Sequence, residues 1–171
     1  EVGTIVTNAS DVEMYGLELE FTALLTEKLS LFMNLGLLDS EYSKFDADIS
    51  GDGVVTDNSG LDLRNAPKTT FGAGLDWVQP VGSGELGAHY NYYWRDDYQT
   101  IFQNNPLGEV KSAGFHNASI DYSFLDNYQI SVYGRNLSDE RYARVVLITP
   151  VSNFGQYNEP RNYGVEFIVK F

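Results

Sequence analysis

Apolar and polar side chains alternate along most of this chain, and the alternation predicts β-strands with one oily and one polar face. The clearest case is Tyr163 to Phe171, which alternates up to an aromatic residue. From about Ser10 to Leu25, Leu17, Leu19 and Phe21 oppose Glu18, Glu20 and Thr22. A second segment, about Leu29 to Phe45, sets Leu31, Met33, Leu35 and Leu37 against Ser30, Asn34 and Gly36. In a third, about Leu61 to Val78, Phe71, Ala73, Leu75 and Trp77 face away from Thr70, Gly72, Gly74 and Asp76. The fourth, about Glu85 to Phe102, places Leu86, Ala88, Tyr90, Tyr92 and Trp94 opposite Gly87, His89, Asn91 and Tyr93. Next, Ala118, Ile120, Tyr122 and Phe124 oppose Asn117, Ser119, Asp121 and Ser123. A sixth has Ile130 and Val132 against Ser131 and Tyr133 and continues through Arg135-Asn136-Leu137 toward Tyr142.

The connections alternate in length. Those around Glu27, from Gln79 to Gly84 and at Leu125-Asp126-Asn127 are tight, whereas Asp46 to Ser59, Gln103 to Glu109 and Val146 to Glu159 are longer. Membrane barrels have this pattern, with short periplasmic turns and longer extracellular loops. A soluble β-sandwich is the competing account, but its outer face meets water and carries many charges. Here the opposite face is Gly, Ser, Thr, Asn and Asp with scattered Tyr, which suits a hydrated lumen. Several segments run to about 15 residues, beyond the usual 5 or 6 of globular sheets and ample for the roughly 9 to 11 of a tilted crossing. The expected fold is all-β, an antiparallel transmembrane β-barrel of which residues 1–171 supply about seven strands. Seven strands cannot close, because each edge leaves unpaired backbone groups in hydrocarbon. Trp77, Phe124 and Tyr128 lie near tight turns and Tyr92, Tyr93, Trp94 and Tyr98 near the opposite end, as two interfacial belts require.

Composition narrows the classes. No run of about 18 apolar residues exists, which excludes a transmembrane helix. Mean hydropathy is mildly negative, as it is in barrels whose lipid contacts fall on every second residue. A net charge of -13 argues against nucleic acid as a partner. Cysteine is absent, so neither disulfides nor thiolate metal sites are available. No nucleophile elbow, phosphate-binding glycine loop or zinc-protease motif is present, and Glu18 and Glu20 read as lumen lining, so the chain is not read as an enzyme. His89 and His116 have no neighbour at a metal spacing. One loop has oxygen ligands at alternate positions, Asp48, Ser50 and Asp52, then Gly53 and, further on, Asp57. This resembles the opening of an EF-hand-like calcium loop, although Ser59 occupies the position of its last acid. A charged, solvated loop is the alternative, and no other cofactor is expected.

Met14-Tyr15-Gly16-Leu17-Glu18-Leu19-Glu20, Leu63-Arg64-Asn65-Ala66-Pro67-Lys68, Gly134-Arg135-Asn136-Leu137-Ser138-Asp139-Glu140-Arg141-Tyr142 and Pro160-Arg161-Asn162-Tyr163-Gly164 occur in order, with Phe171 beyond them. Together they resemble the C-terminal barrel segment of TonB-dependent outer-membrane receptors. The resemblance implies the last seven or so strands of a plugged barrel of about 22 strands, integral to the outer membrane of a Gram-negative cell. It also implies active uptake of a scarce nutrient: a metal chelate, a vitamin, an oligosaccharide or a peptide. Implied partners are the plug and remaining strands of the same receptor, the TonB complex, outer-membrane lipid and the barrel-assembly machinery. That machinery would read the terminal strand through Gly164, Phe167, Val169 and Phe171; a lipid anchor is the simpler role for Phe171. The Asn136 to Tyr142 run reads as a backbone-holding device, with Arg141 paired to a carboxylate on a neighbouring strand. Pro67, lacking an N–H, is expected at a bulge or rim. A passive porin-like channel remains an alternative to active uptake.

Overall fold

The computed structural model describes residues 10–102, 104–148 and 151–171, and every regular element in them is a strand. These are β1 (Ser10–Thr26), β2 (Leu29–Ala47), β3 (Thr56–Asp57), β4 (Thr69–Val81), β5 (Gly84–Arg95), β6 (Tyr98–Gln99), β7 (Glu109–Val110), β8 (Ala113–Phe124), β9 (Tyr128–Arg135), β10 (Ala143–Ile148), β11 (Asn153–Tyr157) and β12 (Asn162–Val169). One antiparallel sheet runs β1-β2-β4-β5-β8-β9-β12, so its long strands follow chain order. β3 extends the far end of β2, while β6–β7 and β10–β11 are ribbons inside the longer connections.

The period-two pattern sets the register. Ala23, Leu31, Leu75, Tyr90, Ala118, Gly134 and Tyr163 form one row across the whole sheet. On the opposite face, one step along, stand Leu24, Ser30, Asp76, His89, Ser119, Tyr133 and Gly164. A slip of one residue would exchange the faces, so each row reinforces the same pairing. The oily face has no protein layer over it: Leu19 is 51%, Ile120 58% and Val165 69% exposed. Glycines on the polar face leave room for rings from the next strand. A Cβ on Gly74 would stand 2.0 Å from the Phe32 ring, and one on Gly164 would stand 2.4 Å from the Tyr133 ring.

Neither β1 nor β12 has a second partner in the sheet, and they do not pair with each other. The described residues therefore form an open sheet, as the strand count predicts. Two aromatic groups mark its ends. At the tight turns, Tyr122, Phe124, Tyr128 and Phe167 stack in sequence with centroids 5.7, 5.5 and 6.1 Å apart. Near the longer loops, Tyr92 packs on Phe71 and on His116, on the same face as Trp94.

Several strands are shorter than the sequence pattern suggests. β4 starts at Thr69 rather than near Leu61, because Asn65 takes a left-handed φ of 56° and Pro67 offers no donor just before the ladder. β5 stops at Arg95, not Phe102, and Tyr98 lies in the β6 ribbon rather than in a belt. Tyr93 faces the polar side, paired across to Gly72 and Phe115, so it is not a member of the belt formed by its neighbours. β9 ends at Arg135 because Asn136 adopts φ 49°. The buried apolar residues among those described are Tyr42, Phe45, Val110 and Ala113, all at the loop end. There Phe45 meets Tyr42 and Phe102, and Arg64 sits 3.7 Å over the Phe102 ring.

This arrangement makes adjacent residues unequal. In the intact receptor, Val132→Arg should cost about 2–4 kcal/mol on the lipid face, while Ser131→Arg on the other face should cost much less. Equilibrium unfolding in lipid vesicles measures both; equal costs would contradict the assignment of faces.

Candidate ligand-binding site

Above β9 the polar motif residues hold two distant parts of the chain together. Asn136 is buried; its side-chain amide donates to the carbonyls of Glu140 (3.0 Å) and Glu159 (3.1 Å), and its Oδ1 accepts from the Glu140 N–H (3.0 Å). Its own N–H donates to Asn117 Oδ1 at 2.9 Å. Asn158 supplies a parallel tie, accepting from the Tyr142 N–H and donating to the same Glu140 and Glu159 carbonyls. Asp139 accepts from the Arg161 N–H at 2.9 Å and from Arg141 Nε at 3.2 Å. The run is thus a backbone device, as its composition suggests, but Arg141 pairs with Asp139 in its own segment rather than with a neighbouring strand. The Arg161 N–H, then the Arg141 side chain, hold the Asp139 carboxyl below its ordinary value of 3.8.

These ties shape a cleft of about 490 Å³ on the polar face at the loop end, bounded by β5, β8, β9 and the start of β10. Three arginines line it, Arg95, Arg135 and Arg144, against one acid, Glu159. Aromatic rings run through it: Tyr98 lies 4.8 Å and Tyr142 4.4 Å from the Arg95 guanidinium, Tyr142 packs edge-on against Phe115, and Phe115 stacks on Tyr93. Arg95 is only 5% exposed, and its Nη1 donates to the carbonyls of Asp96 and Lys111. Burial pushes the Tyr98 phenol up, with Arg95 pulling the other way, so it stays a neutral hydroxyl. Cationic and aromatic groups with few acids nearby can hold an anion or a flat π-system.

The calcium-loop residues have a different arrangement. Asp48 accepts from the Gly51 and Asp52 N–H groups and the Ser50 hydroxyl on one oxygen and from the Gly53 N–H on the other. Gly51 and Gly53 supply the positive φ that this wrap needs, 77° and 87°. Asp52 caps the Val54 N–H and Asp57 the Ser59 N–H. Among the described residues, no three His, Asp or Glu side chains gather to hold a metal ion.

In β12, Phe167 and Val169 belong to the oily rows and Gly164 to the polar face, while Phe171 lies fully exposed beyond the strand. His89 bridges Asp76 (2.7 Å) and Asp121 (2.9 Å) on the polar face; His116 lies on the oily face and contacts the Tyr90 hydroxyl. Sequence reasoning missed the arginine cleft, because its members lie far apart in the chain. The available signal was that Arg95 and Arg135 each end a strand on the polar face, on the side of the longer loops. Within the three longer loops, Gln103 and residues 149–150 lie outside the described residues.

An open antiparallel sheet with a lipid-type face, a polar face and long connections at one end defines a segment of a β-barrel receptor. A family model described as TonB dependent receptor-like, beta-barrel, matches residues 1–137. The chain belongs to this family of outer-membrane transport receptors. Among solved structures, the chain is similar to the ferric yersiniabactin uptake receptor from Yersinia pestis, at 21% identity and a TM-score of 0.82, over 96% of this chain and 24% of that one. A siderophore receptor from Acinetobacter baumannii matches at 23% identity and TM-score 0.71, over 94% of this chain and 22% of the receptor. The ferric preacinetobactin receptor from the same organism matches at 19% identity and TM-score 0.67, over 95% and 22%. The chain thus spans about a quarter of the length of these structures.

Two predictions test the loop junction. Asn136→Ala removes three hydrogen bonds and strains a left-handed position, so amides from Leu137 to Glu140 should exchange at least tenfold faster, whereas Asn136→Gly relieves only the strain. A role confined to backbone conformation would make Asn136→Gly indistinguishable from wild type. Because the Asp139 pKa is depressed in the folded state, its tie is present above the usual carboxylate pKa and is lost as pH falls through the lowered folded value. Exchange of the Arg161 amide, corrected for its intrinsic pH dependence, should therefore stay constant from pH 7 to about 5 and rise only below about 4.

Proposed function

We propose that this chain forms barrel wall and extracellular loops of a receptor that takes up a scarce nutrient across the outer membrane of a Gram-negative cell, with energy delivered through TonB. The observation that carries this is the uncovered oily face across the whole sheet, set against a polar face bearing a cleft at the loop end. A soluble binding module would cover that face with a second layer. The strands that complete the wall, and a plug that gates it, are other parts of the same receptor. Captured at the cleft, the nutrient passes inward when the plug moves.

Among nutrients, an iron chelate is the class proposed here. The named ligands of the similar structures are ferric yersiniabactin and ferric preacinetobactin, and a cationic, aromatic cleft suits a bulky ligand with acidic, unsaturated groups. The remaining polar wall, including Glu18, Glu20, Asp76 and Asp121, lines the route below the cleft.

The intact receptor, expressed as the sole iron-chelate receptor in paired strains with and without TonB, tests this reading. Iron-limited growth on at least one ferric chelate should depend on both receptor and TonB. Open conductance of the purified receptor in a planar bilayer, or uptake equal in the two strains, would point to a passive channel instead.

A further inference from the structure

The polar face of the sheet has an apolar stretch that the alternating pattern does not account for. On β1 and β2 this face carries Glu18, Glu20 and Asn34, but toward the loop end it turns to Met14 and Leu38, with Gly16 and Gly36 beside them. Met14 is 61% exposed there, on the side expected to be polar. The connection between β2 and β4 adds Leu63, Ala66 and Pro67, and together these residues line a second cavity of about 700 Å³ in which Glu18 is the one acid. It shares no lining residue with the arginine cleft, which lies on the β5 to β9 side of the sheet.

The walls of this cavity are fixed. The Leu38 N–H donates to the Lys68 carbonyl at 2.8 Å and the Asn65 N–H to the Gln99 carbonyl at 2.7 Å, while Arg64 lies on the Phe102 ring. The segment from Leu63 to Lys68 is therefore anchored to β2 on one side and to the connection between β5 and β8 on the other. Glycines keep the floor bare: a Cβ on Gly36 would stand 2.7 Å from Thr70 Oγ1, and one on Gly16 would stand 3.0 Å from the Leu37 carbonyl. Apolar side chains around a fixed volume favour an apolar occupant, since it removes their surface from water.

The position of the cavity points to what that occupant is. One wall is β1, the strand at the free edge of the sheet, so the cavity is continuous with the seam where the barrel wall has to be completed. β1 descends from Ser10 at the loop end to the tight turn at Glu27. Because the long strands follow chain order, each longer connection at this end joins neighbours in the sheet. The strand that completes the wall beside β1 thus hands its chain to Ser10 close to Met14. Resting on the receptor reading only for that adjoining strand, we propose that the cavity seats the extracellular connection leading into β1. A bulky apolar side chain of that connection packs among Met14, Leu38 and Pro67, and a hydrogen-bond donor or cation beside it meets Glu18. Side chains thereby close the seam above the membrane.

Photo-crosslinking of the intact receptor in outer membranes tests this, with p-benzoylphenylalanine replacing Met14 in one variant and Leu63 in another. A third variant replaces Tyr15, which lies on the opposite face of β1, as the control. Crosslinks from positions 14 and 63 should map to the receptor's own connection immediately upstream of β1, and position 15 should give none to it. Crosslinks to the plug, to lipopolysaccharide or to a separate protein, or none from either position, would overturn the proposal. In case the bulky label disturbs folding, hydrogen exchange on milder variants gives a second reading. Leu38→Ala should speed amide exchange in the upstream connection by roughly three- to tenfold, whereas Leu35→Ala on the lipid face should leave it unchanged; equal effects would count against the proposal. None of these results bears on TonB dependence, which the paired-strain growth assay reads separately.

Discussion

Hydrocarbon offers no partner to a peptide N–H or C=O, and this single constraint organises the molecule. A segment that crosses lipid as a strand must bond every backbone group to its neighbours, so long strands stand side by side in chain order, with no crossover in the main sheet. The same requirement explains why the edges β1 and β12 need strands beyond the sheet described here. Side chains are then free to divide between two environments, and the division is what the alternating sequence encodes. At the turn end the aromatic stack from Tyr122 to Phe167 suits an interfacial girdle.

Away from the lipid, different rules apply. Beyond the crossing segments, water or side chains can satisfy backbone groups, and the chain becomes irregular. Left-handed Asn65, Asn136 and Asp139 appear there, with side-chain amides of Asn136 and Asn158 standing in for ladder bonds. Tyr42, Phe45 and Val110 are buried at this end, where Phe45 packs on Tyr42 and Phe102 and Val110 pairs with Tyr98. Irregular backbone supported by buried polar ties can present a shaped cleft with arginines at its base. The membrane-crossing part is thus a repetitive wall, and the cleft lies in the irregular structure mounted upon it.

This contrast explains how far the sequence could be read. Faces, strand order and the tight turns at Gly82 and at Leu125 to Asn127 follow from a local period of two, which needs no tertiary information. Strand ends were less legible, because Leu61 to Lys68 and Asp96 to Phe102 keep β-compatible residues but are drawn out of the ladder by loop contacts such as the Asn65 N–H to the Gln99 carbonyl. Asn136 to Tyr142 was recognisable as a backbone device because Asn and Asp act locally. The arginine cleft was not, since Arg95, Arg135 and Arg144 become neighbours only through register and loop return. His89 similarly shows no partner in sequence, yet register brings Asp76 and Asp121 to its two ring nitrogens.

The central claim is that adjacent residues along each long strand meet different media. Because the chain has no cysteine, single cysteines at Ile130, Ser131, Val132 and Tyr133 would carry spin labels at unique places within it. Power-saturation accessibility of these labels in the intact, membrane-reconstituted receptor should alternate: positions 130 and 132 open to oxygen dissolved in lipid, positions 131 and 133 shielded from it and reached, where space allows, by a water-soluble relaxant. Uniform access to the water-soluble relaxant at all four positions, or protection of 130 and 132 from both agents as in a protein core, would contradict the account.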